Sequence, residues 1–130
     1  MENYFYEAFE GLTRQGPGSE QSTKKALSLL DLDSKKALNI LDIGCGTGTH
    51  TLLLAEEFPL AHITAIDTNE ASLISLKEKL HQKNLEERVS VQNSSMFEMD
   101  FKPETFDLIW AEAQSILWAF KKVLHSGKLS

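Results

Sequence analysis

Three glycines on alternate positions, Gly44, Gly46 and Gly48, follow directly on the apolar run Ile40-Leu41-Asp42-Ile43 and stand just before a segment that opens as a helix at Thr49. This arrangement constrains the chain more than any other feature: a strand must turn sharply there, and the backbone must stay open to close approach, which a β-carbon obstructs. The helix that follows offers unpaired N–H groups and partial positive charge at its start, suited to a negative or strongly accepting ligand group. About twenty residues further on, the next apolar run, Ile63-Thr64-Ala65-Ile66, ends in Asp67, where nucleotide-binding folds place an acid to accept hydrogen bonds from ribose hydroxyls. The dinucleotide fingerprint would put its third glycine at the position of Thr49, and no Lys-Ser or Lys-Thr pair follows the loop, which excludes the triphosphate-cradling type. A ribose-containing ligand without a pyrophosphate remains.

Around the loop, short apolar runs alternate with amphipathic segments, the pattern of repeated strand and helix units. Strands are expected over Leu38 to Ile43, His62 to Ile66, Arg88 to Gln92 and Phe106 to Trp110, and helices over Thr49 to Phe58, Asn69 to Asn84 and Gln114 to Leu124. The fold class is therefore α/β, a Rossmann-like three-layer sandwich on a parallel sheet. Ahead of this core, the aromatics of Tyr4 to Leu12 suggest a short helical packing face, Gln15-Gly16-Pro17-Gly18 marks a turn, and Ser19 can cap a helix running to about Leu32. The expected division is one domain, with amino-terminal helices and a linker over 1–34 and a cofactor-binding core over 35–130.

The 130 residues suit a single core, and the net charge of −6 leaves no broad basic surface for a nucleic acid. The pairs Lys24-Lys25, Lys35-Lys36 and Lys121-Lys122 read as solvated helix faces. Cys45 is the sole cysteine, which rules out an internal disulfide and suits a reducing, cytoplasmic setting. No run of 18 apolar residues occurs, so no membrane partner is expected. His50, His62, His81 and His125 are scattered without metal-ligand spacing, and no metal is expected.

The segment Leu41-Asp42-Ile43-Gly44-Cys45-Gly46-Thr47-Gly48 resembles the first motif of class I S-adenosylmethionine-dependent methyltransferases, and Ile63-Thr64-Ala65-Ile66-Asp67 resembles their second. The resemblance covers about Ala37 to Ser130. The Arg14 to Ser19 stretch is similar to the segment before the core in a bacterial small-molecule branch close to quinone-biosynthesis enzymes. The family resemblance implies S-adenosyl-L-methionine as cofactor, with Asp42, Gly44, Cys45, Gly46 and Gly48 against its methionine part, Asp67 and Thr68 at the ribose, and the loop Asn93-Ser94-Ser95-Met96-Phe97, Ser95 and Met96 foremost, along the adenine. Many members carry an Asp where this chain has Ser95. Phe106 to Glu112 resembles the fourth-strand motif whose end faces the methyl group, and the acceptor implied is a small molecule. The family's sheet continues past a fifth strand, whereas this sequence stops at His125 to Ser130. The resemblance thus implies strand order 3-2-1-4 with at most a stub of strand 5, and a fourth strand whose uncovered edge invites self-association. A truncated or degenerate domain that binds cofactor without transferring, or serves as an interaction module, is the alternative.

Individual residues carry two readings. Asp42 either caps the loop from the strand end or reaches the methionine amine as well. Cys45 reads as small packing filler in a tight turn. Glu112, at the rim where open α/β sheets bind ligands, either orients an acceptor or the cofactor's ammonium, or is a solvated capping carboxylate. It is the sole candidate for a catalytic role.

Overall fold

The computed structural model describes residues 2–13, 19–95, 97–98, 102–113 and 116–126. In chain order the elements are β1 (Glu2–Thr13), α1 (Ser19–Leu29), β2 (Asn39–Ile43), α2 (Thr49–Glu57), β3 (His62–Asp67), α3 (Glu70–Gln82), β4 (Val89–Asn93), β5 (Leu108–Ala113) and β6 (Ile116–Ser126), with a 3-10 turn over Pro103–Thr105. They form one six-stranded sheet of order β1-β6-β5-β2-β3-β4. The strands β4-β3-β2-β5 run parallel, which is the order 3-2-1-4 expected from the sequence. Chain direction across the sheet reverses at β2, so the glycine loop after β2 lies at the crevice where such sheets bind ligands.

Alternation along the strands separates two apolar clusters. On one face Ile40, Ile63, Ala65, Val89, Leu108 and Trp110 pack against Leu27 of α1, Leu54 and Ala55 of α2, and Leu73, Leu76 and Leu80 of α3. The other face carries Leu41, Ile66 and Ile109, with Ile43, Phe106 and Phe120 packed partly against them. Arg88, just before β4, ties this frame at its lower end by donating to Ala55 O at 3.1 Å and to Phe58 O and Ala61 O at 3.2 Å. Those carbonyls lie at and just beyond the end of α2, where helical partners run out. Asn69 caps α3 by accepting the Ser72 N–H at 3.1 Å, and Asn84, past its other end, adopts the left-handed φ of 56° that a helix exit uses.

Four expectations fail. The segment expected as helix Gln114 to Leu124 is the eleven-residue strand β6, antiparallel to β5 with Glu112 opposite Leu117 and Trp110 opposite Ala119. Its helical spacing of apolar residues yields because the aromatic and β-branched Trp118, Phe120 and Val123 suit a pleated surface once β5 offers an edge. The segment Tyr4 to Leu12 lies within the strand β1, antiparallel to β6, with aromatics that favour a strand once a partner edge exists. Consequently the fifth position of the sheet is a full strand, and the fourth strand's edge is covered rather than open. Lys121 and Lys122 change role with it: Lys121 Nζ donates to Leu30 O at 2.8 Å and Lys122 Nζ to Glu104 O at 2.9 Å, so neither lies on a solvated helix face. The turn expected at 15–18 lies outside the described residues.

Candidate cofactor site

The apolar run of β2 ends inside the sheet, and the chain leaves it through a loop held by β3. Gly44 and Cys45 N–H both donate to Ile66 O, at 2.9 and 3.0 Å, and Gly46 N–H donates to Asp67 Oδ2 at 2.8 Å. Asp67 Oδ1 accepts from Asn69 N–H at 2.8 Å, so each carboxylate oxygen holds one backbone hydrogen bond and keeps lone-pair capacity for another donor. The half-buried carboxylate is thereby fixed in direction, with spare capacity suited to a vicinal diol.

Two glycines are required by geometry. Gly46 has φ of 57°, and a β-carbon there would point into open space with no atom within 4 Å, which leaves this stretch of backbone open to a ligand. Gly48 has φ of 95°, and a β-carbon there would run into Leu76 Cδ1 of α3. Lys79, one turn further along α3, secures the same loop by donating from Nζ to Thr47 O at 3.0 Å.

Behind the loop, Asp42 is only 2% exposed and accepts from Thr51 Oγ1, in the first turn of α2, at 2.5 Å. Cys45 is buried as well. Burial first, then the charges of Asp42 and Asp67, push its thiol up to about 12. The side chain therefore acts as packing, in keeping with the filler reading.

A hollow of about 210 Å³ opens beside the acid, bounded by Gly44, Asp67, Thr68, Ser94, Ser95 and Phe97. Ser94 N–H donates to Asp67 O at 3.1 Å, while Ser94 Oγ is buried with no hydrogen-bond partner. Ser95 Oγ donates to Glu98 Oε1 at 3.2 Å, and Phe97 is 90% exposed. A larger hollow of about 450 Å³, touched by Thr23, His50, Glu56, Lys79 and Lys83, includes neither Asp67 nor any loop glycine.

The structure thus brings Asp42, Gly44, Cys45, Gly46, Gly48, Asp67, Thr68 and Ser95 around one loop and its neighbouring hollow. Met96 lies outside the described residues, as does the side chain of Glu112, whose backbone sits in β5. Sequence reading missed Thr51 and Lys79, and had Ser94 only as part of the loop after the third strand. Thr51 had a faint signal, a hydroxyl in the first turn of the helix after the loop. Lys79 had none, since 32 residues separate it from the carbonyl it holds.

The methyltransferase domain family matches residues 34–128, from before β2 to the end of β6. The chain belongs to the class I S-adenosylmethionine-dependent methyltransferases. Among relatives of this methyltransferase domain, malonyl-[acyl-carrier protein] O-methyltransferase of Acetivibrio thermocellus is 47% identical over 60 residues, 46% of this chain and 21% of that protein. Trans-aconitate 2-methyltransferase of an Enterobacter species is 35% identical over 105 residues, 78% of this chain and 37% of the other. The tRNA1(Val) (adenine(37)-N6)-methyltransferase of Vibrio cholerae is 40% identical over 57 residues, 44% and 24% of the two chains. The methyltransferase domain thus spans between about a fifth and two fifths of the length of these curated relatives.

Proposed function

We propose that this domain binds S-adenosyl-L-methionine across the loop from Asp42 to Gly48 and supports methyl transfer to a small-molecule acceptor. One observation carries the reading: Asp67 and the loop are a single hydrogen-bonded unit through Gly46 N–H, with acceptor capacity to spare beside a hollow lined by Gly44, Thr68 and Ser95. In this reading Asp67 accepts the two ribose hydroxyls, and the backbone around Gly44 and Gly46 packs against the methionine part. Thr68, Ser95 and Met96 border the nucleoside, with Ser94 Oγ as a further contact. Glu112, near the end of β5, orients the acceptor. When bound, the cofactor supplies a methyl on a sulfonium, and attack by an acceptor O, N, C or S forms the new bond as the carbon–sulfur bond breaks and sulfur keeps the electron pair. The chain's own share is orientation and exclusion of water, which gain most when reacting atoms are held about 3 to 3.5 Å apart.

A small acceptor is favoured over RNA by the net charge of −6, because binding to nucleic acid draws chiefly on phosphate neutralisation by cationic side chains. Calorimetric titration tests the cofactor: micromolar to submillimolar affinity is expected, and no heat up to millimolar ligand removes the reading. Transfer of labelled methyl is then followed with malonyl and aconitate-type acids and with bulk tRNA. Label in the acids supports the small-molecule reading, label in tRNA overturns it, and binding without transfer to any acceptor favours a binding module.

A further inference from the structure

We propose that Lys79 is a positioning residue for the cofactor loop, fixing the peptide unit between Thr47 and Gly48 so that the turn stands ready for the amino-acid part of the ligand. This rests on the reading above, that the loop holds S-adenosylmethionine with its methionine part against the glycines and its ribose on Asp67. Lys79 then governs one end of the ligand and leaves the other to Asp67.

The loop has two halves, held by different elements. The first hangs on β3, since Gly44 and Cys45 N–H donate to Ile66 O and Gly46 N–H donates to Asp67 Oδ2. The second is a tight turn closed by Gly48 N–H, which donates to Cys45 O at 3.0 Å. Within that turn Gly46 has the left-handed φ of 57° and is the position where a β-carbon would meet open space. The carbonyl of Thr47 and the N–H of Gly48 belong to one planar peptide unit and point in opposite directions. Cys45 O holds one end of this unit, and Lys79 Nζ, 3.0 Å from Thr47 O, holds the other. Rotating the plane would break both bonds, so the turn keeps a single orientation of its dipoles.

Lys79 comes from α3, and Leu76, three residues before it on the same helix face, lies where a β-carbon on Gly48 would stand. Helix α3 thus meets two consecutive loop residues, one by packing and one by a charged donor. The Lys79 side chain is half-buried, whereas Lys77 and Lys83 nearby are exposed. It borders the hollow of about 450 Å³ together with Leu52 and stays out of the one beside Asp67, so it grips the turn without occupying the nucleoside's place. Among the described residues this is the one side-chain hydrogen bond to Thr47 or Gly48. A turn already held in one orientation loses less freedom when a ligand settles on it, which raises affinity for the part of the ligand it touches. On the reading above that part is the amino acid, and the nucleoside is untouched by the effect.

The experiment compares two ligands by calorimetry in the unaltered chain, Lys79→Met and Lys79→Arg, with urea unfolding to show that each is folded. S-adenosylhomocysteine carries the amino-acid part, and 5′-methylthioadenosine keeps the base, ribose and sulfur but lacks it. In Lys79→Met the affinity for S-adenosylhomocysteine is expected to fall about five- to tenfold, while that for 5′-methylthioadenosine stays within about twofold. Lys79→Arg, which keeps a charged donor on a long stem, restores the first affinity to within about twofold. Without ligand, hydrogen exchange of the Gly48 amide in Lys79→Met is expected to quicken by about tenfold, with the Ile63 and Ala65 amides of β3 unchanged. Equal weakening of both ligands would show a merely structural role and overturn the inference. Parental affinity for S-adenosylhomocysteine in Lys79→Met, or a Gly48 amide that exchanges at the parental rate, would overturn it as well. If Lys79→Met fails to fold, Lys79→Gln, shorter and uncharged, carries the same comparison. An unaltered chain that binds neither ligand would instead bring down the cofactor reading, and this inference with it.

Discussion

Asp67 does two jobs that are usually described separately, since the carboxylate proposed for the ribose also closes the glycine loop onto β3. Asp67→Ala removes both, and its cofactor affinity is expected to fall by at least tenfold and on the order of a hundredfold, because hydrogen bonds to a charged group contribute about 1.5–3 kcal/mol each. Calorimetry on the folded variant checks this; unaltered affinity would refute the ribose assignment. Cys45 gives a second test. Its folded pKa, pushed up to about 12, lies above the ordinary thiol value of 9.0, so the folded state holds the thiol proton more firmly than the unfolded state does. The resulting stabilisation is complete below pH 9, declines as pH rises from there, and is lost above the folded value. Iodoacetamide at pH 8 is expected to leave Cys45 unmodified in the native protein and to alkylate it readily in urea, as mass spectrometry would show. Cys45 was legible as packing from its place between two glycines, and Asp67 was singled out by its place at the end of the next apolar run. The burial of the Ser94 hydroxyl without a partner was not legible, since it depends on what surrounds the loop.

Elements α2 and α3 hold the loop in different ways, α2 from behind through Thr51 and α3 from the side through Leu76 and Lys79. Gly48→Ala combines a left-handed φ with an overlap against the fully buried Leu76, and is expected to lower stability by about 2–4 kcal/mol in denaturant unfolding. A variant as stable as the parent would mean that α3 is free to move away. Strand β6 lies between β5 and β1, and over Ile116 to Lys121 it is paired on both sides. Ala119→Pro removes one donor from this interior strand at a buried position, with an expected loss on the order of 3 kcal/mol measured by the same unfolding curve. The strands β2 to β5 and the helices α1 to α3 were legible from period alone, to within a few residues at their ends. β1 and β6 were not, because their apolar spacing fits a helix as well as a strand and the choice lay with a partner edge.

At the scale of the whole molecule, six strands share one sheet, and the edge of β5 that a parallel four-stranded sheet would leave open is covered by β6. Removing residues 114–130 would expose that edge, and the shortened chain is expected to self-associate in sedimentation where the intact one does not. A monodisperse shortened chain would show that the edge is protected by other means. The amino-acid order by itself determined the glycine turn, the acid some twenty residues on and the family they belong to, because each is written in neighbouring residues, and the parallel order around β2 followed from that family resemblance. Tertiary structure alone decided that Asp67 and Gly46 are hydrogen-bonded, that Thr51 aims Asp42, that Lys79 reaches Thr47, and that the two ends of the chain meet as β1 and β6. Those contacts join residues far apart in sequence, and their free energy depends on which groups are buried together, a quantity that no local pattern contains.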